Sequence, residues 1–90
     1  MLRQDVVSSD CALMPLYFFD VDDGHTVARD PDGLDLTDLA FARAEAQKAL
    51  AEIVRDLRQT NDERRLTCTI RDGDNSVCRM EMTMRCLPLD

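Results

Sequence analysis

The clearest pattern of apolar and polar positions lies in the last third of the chain. Apolar and polar residues alternate over residues 66–71, and the alternation returns over residues 78–86. A period of two predicts strands with one buried and one solvated face, so we predict a β-hairpin here. The apolar positions are Leu66, Cys68 and Ile70 in the first strand and Cys78, Met80, Met82, Met84 and Cys86 in the second.

The numbering of these apolar positions restricts how the two strands can pair. The inward residues are even-numbered on both strands, so an even-numbered residue must face an even-numbered one. A three-residue loop Gly73-Asp74-Asn75, with Asn75 left-handed and Asp72 opposite Ser76, satisfies that condition. The resulting register places Ile70 opposite Cys78, Cys68 opposite Met80, and Leu66 opposite Met82.

Apolar residues recur at spacings of three and four over residues 37–58, which predicts one amphipathic helix. We expect it to begin at Thr37 or Asp38, with Thr37 or Asp35 as its cap, and to end near Arg58. The many alanines of its first half predict close packing against a sheet. The apolar stripe consists of Leu39, Ala42, Ala46, Ala49, Leu50, Ile53 and Leu57.

The first half of the chain predicts a second hairpin. Residues 16–21 form an aromatic and β-branched strand, residues 22–24 a turn, and residues 25–29 the returning strand. The pattern does not decide whether Tyr17, Phe19 and Val21 or Leu16 and Phe18 point inward. Residues 30–33 predict another turn, and residues 34–36 lead into the helix.

Together these elements predict an α+β fold of the ββαββ type, an antiparallel four-stranded sheet with one helix packed on one face. We expect residues 14–87 to form a single domain, residues 1–13 a flexible N-terminal tail, and residues 88–90 a C-terminal tail. Two explanations of residues 1–13 stay open: translation that starts at Met14, or a genuine flexible arm. The other sheet face and the sheet edges are exposed, and both are routes to self-association. That polar face carries Thr67, Thr69, Arg71, Arg79, Glu81 and Arg85.

The charge of the chain restricts the class of partner. The net charge is −7, and residues 15–38 contain seven Asp and one Arg. Such a chain is unsuited to nucleic acid or to an anionic membrane, and it suits a basic protein partner or a cation better. Acidic loops that keep a small protein dispersed explain the charge equally well. No apolar run or leader pattern is present, so we expect a cytoplasmic protein.

Three features of the sequence are candidate chemical sites. The sulfur row, defined as Cys78, Met80, Met82, Met84 and Cys86, is a candidate Cu(I) site, but we interpret it as core. His25, the single histidine, is expected at the surface. The loop aspartates Asp22, Asp23, Asp30 and Asp32 fail the spacing of an EF-hand, and we interpret them as turn formers. We therefore assign no catalytic, cofactor-binding or metal-binding residue.

Several segments resemble a small bacterial family of domains of unknown function. They are residues 14–21, with the Met-Pro-x-Tyr-Phe-Phe opening, residues 30–39, the Ala-Arg-x-Glu-Ala helix at residues 42–46, and the hairpin at residues 72–77. The resemblance extends over about residues 14–87. Residues 1–13, the sulfur row and Asn75 depart from it. It implies no activity that can be carried over.

These observations favour a small, non-enzymatic, acidic protein-interaction or regulatory module, with a protein partner or a homodimer as its assembly. No nucleophile, base or cofactor loop is recognisable, so we expect no enzyme activity. The alternative is a small-ligand or metal-binding protein that uses the sulfur row or the aspartate loops.

Overall fold

The computed structural model describes residues 14–57 and 63–89. The predicted tail at residues 1–13 lies outside these residues. The described chain has an α+β fold with one helix and an antiparallel sheet, as predicted, but the sheet has five strands rather than four. The elements are β1 (Leu16–Asp22), β2 (Val27–Ala28), β3 (Leu34–Asp35), α1 (Leu39–Asp56), β4 (Glu63–Asp72) and β5 (Asn75–Arg85).

The additional strand arises from the segment that was expected to lead directly into the helix. Val27–Ala28 pairs with Val21 and Asp22 at one end of β1, and Leu34–Asp35 pairs with Leu16 and Tyr17 at the other. Strands β2 and β3 thus form one interrupted edge strand beside β1. The predicted return over residues 25–29 is shorter because the chain leaves the sheet at residues 29–33 and comes back.

The long hairpin has the predicted register and a different turn. Ile70 faces Cys78, Cys68 faces Met80, and Leu66 faces Met82, which confirms the pairing. The turn has two residues, because Asp72 faces Asn75 and Gly73 takes a φ of 62°. A bulge beside Ile70 and Arg71 compensates for the shorter turn. The bulge supplies the extra residue that we had placed in the loop, so the parity argument holds.

The helix lies mainly across β4, with a smaller contact to β5. Its N-cap is Asp38, whose carboxylate accepts a hydrogen bond from the amide of Phe41, so neither Thr37 nor Asp35 serves as the cap. Ala42 and Ala46 are fully buried, as expected for small residues at a close contact between helix and sheet. The remaining buried core consists of Tyr17, Leu50, Leu66, Cys68 and Ile70, with Phe19 and Val21 packed against it.

The spatial order of the long strands is β1, β4, β5. Burial of Tyr17, and packing of Phe19 and Val21 against the core, settles which residues of β1 face the helix. By alternation, Phe18, Asp20 and Asp22 therefore lie on the opposite face of the sheet. We call that opposite face the open face, since no described element covers it.

Candidate functional site

The open face carries a shallow depression of about 510 Å³ over β1, β4 and β5. Four arginines and four acidic residues line it, so the surface is polar with mixed charge. Five of the six residues predicted for the open face line the depression, and Arg85 does not; the five are Thr67, Thr69, Arg71, Arg79 and Glu81. The other lining residues are Asp20, Asp22, Val27, Arg29, Arg65, Asp74 and Ser76.

Arg71 is the most deeply placed charged residue of the open face. Its Nε lies 2.6 Å from Oδ2 of Asp20, and the two side chains are only 9% and 11% exposed. The remaining guanidinium nitrogens donate to the backbone carbonyls of Gly73 and Asp30 at 2.7 and 3.2 Å. The guanidinium carbon also lies 4.6 Å from the centre of the Phe18 ring, in cation–π contact. The hydrogen bond to Asp20 raises the pKa of Arg71 further, so this side chain is a fully charged structural clamp.

Asp30 closes the gap between β2 and β3. Its Oδ2 accepts a hydrogen bond from the amide of Phe19 at 3.1 Å, at the position where β1 lacks a strand partner. Its Oδ1 accepts from the amides of Asp32 and Gly33. Oδ1 of Asp20 in turn accepts from the amide of Asp30 at 2.9 Å. One carboxylate therefore replaces the missing ladder hydrogen bond, since a buried amide without a partner is costly.

These contacts shift the acidity of both carboxyl groups. The hydrogen bond from Arg71 lowers the pKa of Asp20 below its ordinary value, although burial opposes the shift. Burial alone would raise the pKa of Asp30, but three amide hydrogen bonds outweigh it and the pKa is lowered. Both groups are ionised at neutral pH and stabilise the fold in that form.

The other predicted turn formers also bind backbone amides. Asp22 accepts from the amide of Gly24, and Asp23 accepts from the amides of His25 and Thr26, which lowers the pKa of Asp23. The interpretation of the aspartate loops as turn formers is therefore confirmed for Asp22, Asp23 and Asp30. Over residues 14–57 and 63–89, no three His, Cys, Asp or Glu side chains are grouped to hold a metal ion.

The sulfur row is divided by the structure. Cys78, Met80 and Met82 are half-buried and pack against the core, as predicted, and Met84 is half-buried. Cys86 follows the end of β5 and is exposed, so its assignment to the core is wrong. Cys68 on β4 is fully buried, and burial raises the pKa of its thiol to about 11. This thiol is therefore protonated and unreactive at neutral pH.

The outer side of β5 is the second exposed feature of the sheet, and we call it the free edge. β5 has eleven residues, and it pairs with β4 along nearly its whole length. Among residues 14–57 and 63–89, no strand pairs with its other side. A long edge strand presents a row of backbone donors and acceptors that can pair with another chain. The sequence predicted exposed edges but not that β5 would be one of them.

Sequence reasoning placed His25 at the surface, where the structure also places it. It missed the Asp20–Arg71 pair. The alternation along β1 places Asp20 on the open face once Tyr17 is known to point inward, so the sequence contains part of the information needed to predict the pair. The remaining part is the pairing of β1 with β4, which no local pattern encodes.

Comparison with known proteins gives one finding. A family model described as Domain of unknown function (DUF6894) matches residues 16–83. No curated protein and no solved structure matches the chain. No helix of the described residues is long and apolar enough to cross a membrane.

Proposed function

The chain belongs to the family Domain of unknown function (DUF6894), and we propose that it is a non-enzymatic protein-interaction module that adds a partner strand at the free edge of β5. The observation that carries the proposal is the contrast between the eleven residues of this edge and the two-residue strands at the other. Strand addition uses backbone hydrogen bonds for affinity and side chains on both faces for specificity.

The side chains beside the free edge fit such a role. Arg79, Glu81 and Thr83 lie on the open face, and Met80 and Met82 lie on the helix side. A bound strand would thus meet charged groups on one face and half-buried apolar groups on the other. Arg71 is committed to Asp20 and to two backbone carbonyls, so we expect it to support the sheet rather than to contact the partner.

Site-specific photo-crosslinking tests the proposal. A photoreactive amino acid replaces Thr83, beside the free edge, or Lys48, on the exposed side of α1, and the full chain is irradiated in the cells that produce it. We expect an intermolecular adduct from position 83 and none from position 48.

Three results would contradict edge binding. They are no adduct from either position, equal adducts from both, or a cross-link from position 83 to residues 1–13 of the same molecule. In the last case the chain's own N-terminal segment would occupy the edge.

The alternative function is binding of a small ligand or metal by the sulfur row or the aspartate loops. It has weaker support because the loop carboxylates already accept backbone hydrogen bonds, as those of Asp23 and Asp30 do. Native mass spectrometry of protein purified with a reductant and without chelator discriminates the two. A stoichiometric adduct that is lost in Met82→Ala or Asp23→Ala would favour the alternative.

A further inference from the structure

We propose that the occupant of the free edge is a second copy of this chain, with the two β5 strands paired antiparallel about a two-fold axis at Met80. The inference rests on the proposed function and deepens it, because strand addition by itself requires only some chain at that edge. It predicts one continuous sheet of two protomers with both helices on the same side.

Symmetry limits the possible registers of such a pair. A two-fold axis perpendicular to the sheet keeps the helix side of both copies on the same face, so the axis must pass through a residue position. Met80 is the midpoint of Asn75–Arg85. Val77 is the bulged residue of β5, since Cys78 faces Ile70 and Ser76 faces Arg71. Regular pairing centred on Met80 therefore extends from Cys78 to Met82 in both copies. The bulge lies near the hairpin turn, and the ladder from Cys78 onward is regular.

Charge restricts the register to two axes, at Met80 and at Thr83. An axis at Thr83 places Glu81 opposite Arg85 of the second copy, but it leaves Cys78 and Met80 without a facing residue of β5. With the axis at Met80, Arg79 faces Glu81 of the second copy, and the symmetric contact repeats the pair. An axis at Arg79 or at Glu81 places like charges directly opposite one another. An axis at Met82 places Arg79 opposite Arg85 of the second copy. Opposite charges on facing strands stabilise a pair and like charges destabilise it, so the axis at Met80 is favoured.

The apolar side of β5 is compatible with the same contact. Met80 faces its own equivalent, and Cys78 faces Met82 of the second copy. These side chains are half-buried in the single chain, and Met80 borders an open groove of about 260 Å³ beside Ala40, Arg43, Ala44 and Gln47 of α1. Neighbouring strands lie about 4.8 Å apart, so a second row of methionines would cover this groove and remove its apolar surface from water.

Charge reversal with rescue tests the register. The full chain, Arg79→Glu, Glu81→Arg and the double variant are compared by sedimentation equilibrium under reducing conditions. Each single change creates two like-charge contacts across the axis, so we expect the dissociation constant of the dimer to rise about tenfold. The double variant restores opposite charges and should return to the wild-type dissociation constant.

The matched control is Arg29→Glu, which makes the same charge change on the open face near β2. It should leave the dimer unchanged, and circular dichroism should show that every variant is folded. A wild-type monomer at millimolar concentration, singles without effect, or a double variant without rescue would each overturn the inference.

The two proposals can fail separately. A monomer that still forms a photo-adduct from position 83 with a different protein rejects the second copy and retains edge binding. A stable dimer that gives no adduct from position 83 rejects both, because its interface must lie elsewhere.

Discussion

The two edges of the sheet have opposite designs. At the closed edge, which comprises β2, β3 and the loop of residues 29–33, two strands of two residues cover the ends of β1, and the Asp30 carboxylate occupies the gap between them. At the free edge, β5 presents eleven residues with a single bulge, at Val77 near the hairpin turn. Natural sheets protect an edge with short strands, bulges and inward charges, and the closed edge uses two of these devices.

The difference is that side-chain hydrogen bonds satisfy the backbone at the closed edge, whereas the backbone of the free edge is left exposed. The amide of Phe19 is satisfied by a side chain, and the carboxylate of Asp20 ties Arg71 to the closed edge. β5 has a bulge only near its turn, beside Ile70 and Arg71. Under our proposal of a second copy, a sheet with one closed edge and one free edge would pair once, through the free edge, and would form a dimer rather than an open-ended fibre.

The strongest way to break the closed edge is Asp20→Ala. The change leaves the amide of Asp30 without its acceptor and the Arg71 guanidinium without its carboxylate partner, so we expect a loss of about 3 kcal/mol in the free energy of unfolding. Urea denaturation measures it. The control is Asp32→Ala, which removes an exposed carboxylate from the loop of residues 29–33. It should change the free energy of unfolding by less than about 0.5 kcal/mol. Equal losses in the free energy of unfolding from the two substitutions would show that the Asp20–Arg71 pair does not stabilise the fold more than an exposed carboxylate does.

Gly33 and Gly24 provide a matched pair of substitutions. Both have positive φ, 73° and 94°, where an L-residue is strained. An added Cβ at Gly33 would lie 3.0 Å from side-chain atoms of Leu16 and Phe18, whereas nothing lies within 4 Å at Gly24. We expect Gly33→Ala to cost about 2 kcal/mol and Gly24→Ala about 1 kcal/mol, by thermal unfolding. The reverse order would mean that β3 does not pack against β1 as described.

Acid should weaken the closed edge by a smaller amount than either substitution there. The pKa values of Asp20 and Asp30 are lowered in the folded chain, so their contribution is complete above the ordinary value of 3.8 and is lost as the pH falls through the folded pKa. The free energy of unfolding should therefore be lower at about pH 3 than at about pH 6. In Asp20→Ala the free energy of unfolding should fall by less between these two pH values. An identical fall would contradict the assignment of part of the pH dependence to Asp20.

The sequence predicted the elements whose residues repeat with a short period. Alternation of Leu66, Cys68 and Ile70 with polar residues predicted β4 and its register with β5, because burial of one strand face requires an apolar residue at every second position. The small residues Ala42 and Ala46 gave the helix and its buried side. The candidate surface was foreseen in part, as a polar open face, since its residues occupy the other positions of the same alternation.

Three features lacked a local signal. Leu34–Asp35 has only two residues, too few to show a period, so the sequence predicts only an approach to the helix there and no strand. A two-residue turn with a bulge pairs even-numbered residues with even-numbered ones, as a three-residue loop does. The alternation of apolar and polar residues therefore does not distinguish the two arrangements. The capping role of Asp38 rather than Thr37 or Asp35 depends on where the chain turns after β3.

By itself the sequence determined the α+β class, the single long helix, the long hairpin and the turn-forming role of Asp22, Asp23 and Asp30, because each follows from burial or turn chemistry among near neighbours. Only the tertiary structure decided that β1 lies beside β4. That placement brings together Asp20 and Arg71, which are 51 residues apart, and leaves β5 as the free edge. The physical reason is that strand order depends on which apolar faces share one core, and contacts between distant segments have no period along the chain.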